Sequence, residues 1–105
     1  MVLNVTVSAP NQLTWTEKAN KVIVTSTTGQ VGILSGHAAM VTTVDIGLLL
    51  IETLDNEWVP IISFSGIAVI DSNNLKILVS AYETTSLFNE EIVEEELKKI
   101  GRAHV

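Results

Sequence analysis

The chain has 105 residues, of which 47% are hydrophobic and 17% are charged, and its formal net charge is −6. This length predicts one domain with a modest core, and the absence of cysteine excludes disulfides and thiolate metal sites. No Lys or Arg occurs between Lys21 and Lys76. Because nucleic acids and anionic membrane surfaces are bound through clustered cations, neither is an expected partner.

The N-terminal sequence does not have the pattern of a targeting signal. Residues 1–10 alternate apolar and polar side chains, instead of joining a basic start to an apolar block. No apolar run approaches the roughly 20 residues of a membrane-spanning helix. We therefore expect a protein that is soluble or peripheral to a membrane and is made in the compartment where it works.

Short segments of β character follow one another up to about residue 84. Leu3, Val5 and Val7 alternate with polar residues, as in a half-buried strand. Further strands are predicted near Leu13–Trp15, 22–25, 31–34, 41–45, 48–53, 58–63, 67–70 and 75–80. Pro60 predicts an edge strand or a bulge. No helical pattern intervenes, so eight to ten strands predict an antiparallel sandwich or barrel.

The pattern becomes helical after about Ser86. Asn89 is a predicted N-cap, and Val93, Leu97 and Ile100 form one apolar stripe. Glutamates crowd the start of this segment and basic residues its end, which matches the helix dipole. We predict a helix of about 11 residues, which is marginal alone and must pack against the β domain, a second helix or a partner.

The segment TTGQVGILSGHAA, from Thr27 to Ala39, holds three of the six glycines and one of the two histidines. It lacks the Gly-Lys-Ser/Thr of a phosphate-binding loop and the G-x-G-x-x-G of a dinucleotide site. Turns that need positive φ explain the glycine spacing better. A small, uncharged loop lets another backbone approach closely, so we interpret the segment as a protein-binding surface. A buried connection within the sandwich is the alternative.

Catalysis and metal binding have weaker support. Ser35 lies two residues before His37, and Asp45 follows, which leaves a serine hydrolase as one alternative, but no G-x-S-x-G elbow is present. His37 and His104 do not have the spacing of metal ligands. Residues 71–74 predict a turn and not a calcium loop. We expect no cofactor and no metal.

Five motifs in order resemble the epsilon subunit of rotary F-type ATP synthases. They are the opening strand with its final Pro at 3–10, GQVGIL-x-x-HA at 29–38, VDIG at 44–47, SG at 65–66 and ILVSAYE at 77–83. The VDIG step is similar to that of chloroplast and cyanobacterial members. The resemblance covers about residues 1 to 100.

The resemblance implies a β-sandwich of about ten strands followed by a helical hairpin. Together with the residue pattern, it predicts a mainly β chain with an antiparallel β-sandwich over residues 1–84 and a short C-terminal helix within residues 85–105, in place of the full hairpin. It implies a non-catalytic subunit of the central stalk that couples the gamma subunit to the membrane c ring, with no cofactor or small-molecule substrate of its own. By position, the residues expected at the contact with gamma and the c ring are Pro10, Gly29, Gly32, Leu34, Gly36, His37, Ala38 and Met40.

The expected location is peripheral on the thylakoid membrane, on its stromal or cyanobacterial cytoplasmic side, with the cytoplasmic side of a bacterial inner membrane as the alternative. The sequence also departs from the family pattern. The family has two long C-terminal helices, so a naturally shortened or a truncated member is expected here, with reduced or absent inhibition of ATP hydrolysis. Arg102 is the only arginine, so the ATP-binding motif of some bacterial members is not matched. Ala39 replaces a common Pro. A small ligand- or nucleotide-binding β-sandwich module is the alternative function.

Overall fold

The computed structural model describes residues 2–84. This part of the chain forms nine strands and contains no helix: β1 (Leu3–Ser8), β2 (Trp15–Ser26), β3 (Gly29–Leu34), β4 (Met40–Val44), β5 (Gly47–Thr53), β6 (Trp58–Ser63), β7 (Gly66–Asp71), β8 (Asn74–Val79) and β9 (Tyr82–Thr84). The mainly β prediction is confirmed. The helix predicted after Ser86 lies outside the described residues.

The strands pair in the order β4-β7-β8-β1-β2-β5-β6-β9, and β3 pairs with β2. Every pair is antiparallel except β1 with β8, which is parallel from Asn4↔Asn74 to Ser8↔Leu78. The predicted antiparallel β-sandwich is confirmed, and this pair is its one parallel pairing within residues 2–84. Strand β1 lies between β2 and β8, which comes near the end of the described residues. Turn residues between consecutive strands cannot indicate a pairing of strands so far apart in sequence.

Strand β2 joins the two layers of the sandwich. Its first part, from Trp15 to Ala19, pairs with β1, whereas its second part, from Lys21 to Ser26, pairs with β3. The pairing of β2 with β5 shifts register between Ala19 and Lys21, and such a bulge bends a strand. The two strands predicted near Trp15 and over 22–25 are thus one strand of 12 residues.

The core lies between these layers and is built by alternation. Its largest fully buried side chains include Leu3, Val5 and Val7 of β1, Leu75 and Ile77 of β8, Leu49 and Ile51 of β5, and Ile33 of β3. Fully burying one such side chain contributes about 1.5–3 kcal/mol. This core fixes the strand ends, and therefore the loops between them.

Strand β6 pairs with β5 along its whole length, but with β9 only from Ile61 to Ser63. Pro60 comes just before the residues that pair with β9. Within residues 2–84, Pro60 pairs with β5 and not with β9, and the edge strand or bulge predicted from this proline stays a prediction.

Candidate functional site

The candidate site begins where β3 ends. The chain turns after Leu34 and enters β4 at Met40, and we call Leu34 to Met40 the Gly-His loop. Gly36 has a φ of +82°, which glycine adopts without steric cost. The His37 N–H donates to the Leu34 carbonyl at 3.2 Å, which closes a four-residue turn.

The three glycines of the segment have different roles. Gly29, with a φ of +116°, occupies the β2–β3 hairpin, and together with Gly36 it confirms that turns need these glycines. The same explanation is wrong for Gly32, which lies within β3. A Cβ placed on Gly32 would meet the flexible Lys21 Cε at 3.4 Å, an ordinary van der Waals contact, so no close approach requires glycine here.

His37 is half-buried, and its ring is held locally. Its Nδ1 lies 2.7 Å from the Ala38 carbonyl oxygen, and a carbonyl only accepts, so Nδ1 carries the proton and donates. Within residues 2–84 no hydrogen bond joins this imidazole to Ser35 or Asp45, and no group of His, Asp or Glu in that range could hold a metal ion. The geometry therefore offers a surface for recognition and no assembled nucleophile.

The hairpin between β7 and β8 supports the Gly-His loop. Ser72 and Asn73 have φ values of +51° and +65°, as in a two-residue type I′ turn, and the predicted turn at 71–74 is confirmed. The Asn73 Oδ1 accepts a hydrogen bond from the Gly36 N–H at 2.7 Å. The Asn73 carbonyl accepts another from the Asn4 N–H at 2.8 Å. Three segments distant in sequence meet at this asparagine.

The structure places the eight predicted contact residues in separate regions. Leu34, Gly36, His37, Ala38 and Met40 belong to the Gly-His loop, and Gly32 lies two residues before it in β3.

Pro10 and Gly29 lie away from the loop. Pro10 follows the far end of β1, and Asn4 to Ser8 spans roughly 13 Å of strand. Gly29 closes the hairpin whose Thr27 bonds to Thr43 at the far end of β4. The eight residues therefore do not form one cluster.

The Gly-His loop lies at the surface. The side chain of Leu34 is 53% exposed, and Gly36, Ala38 and Ala39 are exposed, whereas Met40 is half-buried and packs against the core. A partner can thus approach the backbone at three small residues. Between Thr27 and Ala39 only Ile33 is buried, so a buried connection within the sandwich does not describe this segment.

The family model for the "ATP synthase, Delta/Epsilon chain, beta-sandwich domain" matches residues 2–85. The chain belongs to the ATP synthase delta/epsilon chain family. It is 43% identical over 86 residues to the chloroplastic ATP synthase epsilon chain of Porphyra purpurea, covering 82% of this chain and 63% of that one. It is 40% identical over 103 residues to the epsilon chain of Prochlorococcus marinus (strain MIT 9515), covering 98% and 76%.

A solved structure of the Euglena gracilis mitochondrial ATP synthase, containing OSCP, F1 and the c ring, includes a chain with the same fold. The TM-score is 0.75 at 16% identity, with 93% of this chain and 62% of that chain covered. The resemblance to epsilon subunits is therefore confirmed at the level of the family and the fold. This family member spans 63% of the length of its Porphyra purpurea relative.

This delta/epsilon-family chain also exposes an apolar patch that was not predicted from the sequence. On the outer face of β4, β7 and β8, Val41, Ile67 and Leu78 are 67%, 41% and 44% exposed. The register places Ile67 opposite Leu78 and Val41 opposite the half-buried Val69. Residues 67–70 and 75–78 have apolar side chains at both odd and even positions. Because successive side chains of a strand point to opposite faces of the sheet, this pattern indicates apolar residues on the outer face as well as in the core.

Residues 2–84 contain no helix that is long and apolar enough to cross a membrane.

Proposed function

We propose that this chain is a non-catalytic subunit of the central stalk of an F-type ATP synthase and couples the gamma subunit to the c ring during proton-driven ATP synthesis. The observation that carries the proposal is the exposed, uncharged Gly-His loop, held on the β-sandwich of a delta/epsilon-family member. The names of the relatives, which are epsilon chains of ATP synthases, support the same role.

The proposed mechanism is mechanical. A rotor part must transmit torque without deforming, and an interior packed like this one has low compressibility. Small residues at the loop let a neighbouring backbone approach closely, and the Nε2 of His37 remains available as an acceptor because Nδ1 donates to Ala38. A total interface of about 1,600 Å² would suffice for a stable contact.

The proposed location follows from the same partners. The chain would be peripheral on the thylakoid membrane, on its stromal side or on the cyanobacterial cytoplasmic side, and held there through the complex. The chloroplastic and cyanobacterial relatives support this location. The cytoplasmic side of a bacterial inner membrane is the alternative.

The test is substitution of His37. We expect His37→Asp to weaken binding to the gamma subunit of the same organism about tenfold or more, because a new carboxylate is desolvated at the contact. The melting temperature of the isolated chain should change little, since within residues 2–84 the ring makes only a local hydrogen bond. Isothermal titration of the full chain with gamma, beside thermal unfolding, measures both quantities.

The matched control is Thr16→Asp, which adds the same charge at an exposed position of β2. Thr16→Asp should bind gamma with the dissociation constant of the wild type, even if the new charge destabilises β2. An unchanged dissociation constant for His37→Asp would remove the loop from the interface.

A further inference from the structure

We propose that Asn73 is the positioning residue of the Gly-His loop: its carboxamide fixes Gly36 so that the loop presents His37 and Ala38 to the rotor partner. This inference rests on the proposed function for its partner. It assigns a role in recognition to a residue of the β7–β8 turn that lies outside the eight predicted contact residues.

The bond from Asn73 is the long-range restraint on this loop. Within the part of the chain that the structure describes, residues 35–39 make one hydrogen bond to a group distant in sequence, from the Gly36 N–H to the Asn73 Oδ1 at 2.7 Å. The other hydrogen bonds of the loop are local: the His37 N–H donates to Leu34, and the His37 ring donates to Ala38. The first of these bonds ties His37 to the end of β3, and the second stays within the loop, so the bond from Asn73 is the one that joins the loop to the other layer.

Asn73 is itself tied to the core. Its carbonyl accepts from the Asn4 N–H at 2.8 Å, and Asn4 lies between the fully buried Leu3 and Val5 of β1. The β7–β8 pairing continues up to Asp71↔Asn74. The Asn73 backbone is therefore fixed to the start of β1 and to the β7–β8 turn, and its side chain connects the loop to these elements.

Asparagine suits both the left-handed backbone conformation at position 73 and the acceptance of the hydrogen bond from Gly36. The φ of +65° at Asn73 lies in the left-handed region, which Asn tolerates better than most other residues. Its short side chain also carries an acceptor oxygen. The neighbouring Ser72 shares the positive φ, but its hydroxyl donates to the Asp71 Oδ1 at 3.3 Å and stays within the turn.

The test compares three variants of the full chain. Asn73→Gly keeps the left-handed φ and removes the acceptor, whereas Asn73→Asp keeps both. Asn74→Ala is the control, because it removes a carboxamide one residue away whose hydrogen bond among the described residues is local, to the Ser72 carbonyl. The amide exchange rate of Gly36 is measured by NMR in the isolated protein, and affinity for the gamma subunit of the same organism is measured by titration.

We expect Asn73→Gly to raise the Gly36 exchange rate about threefold or more and to weaken gamma binding about fivefold, as for loss of one hydrogen bond that pre-orders a binding loop. Asn73→Asp should restore both values to near those of the wild type, and Asn74→Ala should alter neither. Rescue by Asp separates positioning from general destabilisation of the turn.

Two results would overturn the inference. An unchanged Gly36 exchange rate in Asn73→Gly would show that Asn73 does not hold the loop. Faster exchange with unchanged affinity would show that it holds the loop but does not position it for the partner. Failure of the wild-type chain to bind gamma would contradict the proposed function and the role of Asn73 in it. The Gly36 exchange rates would then still show whether Asn73 orders the loop.

Discussion

At the scale of single residues, two glycines within strands differ in how closely their neighbours approach. A Cβ on Gly66 would overlap the Leu78 carbonyl oxygen and lie 2.7 Å from the Val79 Cα. These are backbone atoms of the paired strand, so they cannot move without breaking the β7–β8 ladder. At Gly32 the nearest atom is the flexible end of Lys21.

We therefore expect Gly66→Ala to destabilise the chain by about 3 kcal/mol or more and Gly32→Ala by less than about 1 kcal/mol. Urea unfolding of the two variants beside the wild type gives both free energies of unfolding. Equal losses for the two variants would contradict the close approach of β8 to Gly66.

At the same scale, the sequence was informative about turns and less so about the bonds between them. Positive φ at Gly36 and the turn at 71–74 follow from local residue types. The bond from Asn73 to Gly36 spans 37 positions, and no local pattern indicates which of several polar turn residues reaches another loop. For the same reason, Asn73 was predicted only as part of a turn.

At the scale of elements, strand β9 is short and depends on a side chain from the β1–β2 loop. The Gln12 Nε2 donates to the Tyr82 carbonyl at 2.9 Å, and the Tyr82 N–H donates to the Gln12 Oε1 at 3.1 Å. The Tyr82 hydroxyl also donates to the Leu13 carbonyl. Gln12 thus imitates a strand neighbour for three-residue β9.

Gln12→Ala should lower the free energy of unfolding by about 1–2 kcal/mol, because two hydrogen bonds to the main chain are lost. It should also speed amide exchange at Tyr82. Tyr82→Phe serves as the comparison, since it removes only the hydroxyl bond and should leave the Tyr82 amide protected. If the Tyr82 amide exchanged equally fast in Gln12→Ala and the wild type, this pairing would not hold β9.

Most strand positions could be predicted from apolar alternation and turn residues, but two features of the elements could not. Strand β2 continues through the polar residues Glu17 and Lys18 because β1 pairs with them on one side, and that pairing is not visible in local hydropathy. The parallel pairing of β1 with β8 joins residues about 70 positions apart. Tertiary pairing decides both features.

At the scale of the whole molecule, apolar surface is exposed on opposite faces of the sandwich. Leu34 and Ile62 lie on the outer face of β3, β5 and β6, while Val41, Ile67 and Leu78 lie on the outer face of the other layer. The stretch between Lys21 and Lys76 adds no cation to either face. Coverage by a partner would suit these apolar faces, whereas threonines such as Thr16 and Thr43 cover other exposed positions without charge.

The division of the eight predicted contact residues also belongs to this scale. The resemblance assigned them to the contacts with gamma and the c ring, and the sandwich separates Pro10 and Gly29 from the Gly-His loop. A subunit held between two neighbours needs contacts in more than one region, so this separation is compatible with the proposed function. Only the three-dimensional course of β1 and β2 makes the division apparent.

Site-specific cross-linking tests most directly whether the Gly-His loop contacts gamma or the c ring. Because the chain has no cysteine, Ala38→Cys and the control Thr16→Cys each carry a single site for a photoreactive maleimide. The labelled chains are incorporated into ATP synthase in place of the resident epsilon chain, and cross-linked products are identified by mass. We predict that label at position 38 joins the chain to gamma or to the c subunit, whereas label at position 16 does so far less. Equal yields from the two positions, or no product with either partner from position 38, would contradict the account.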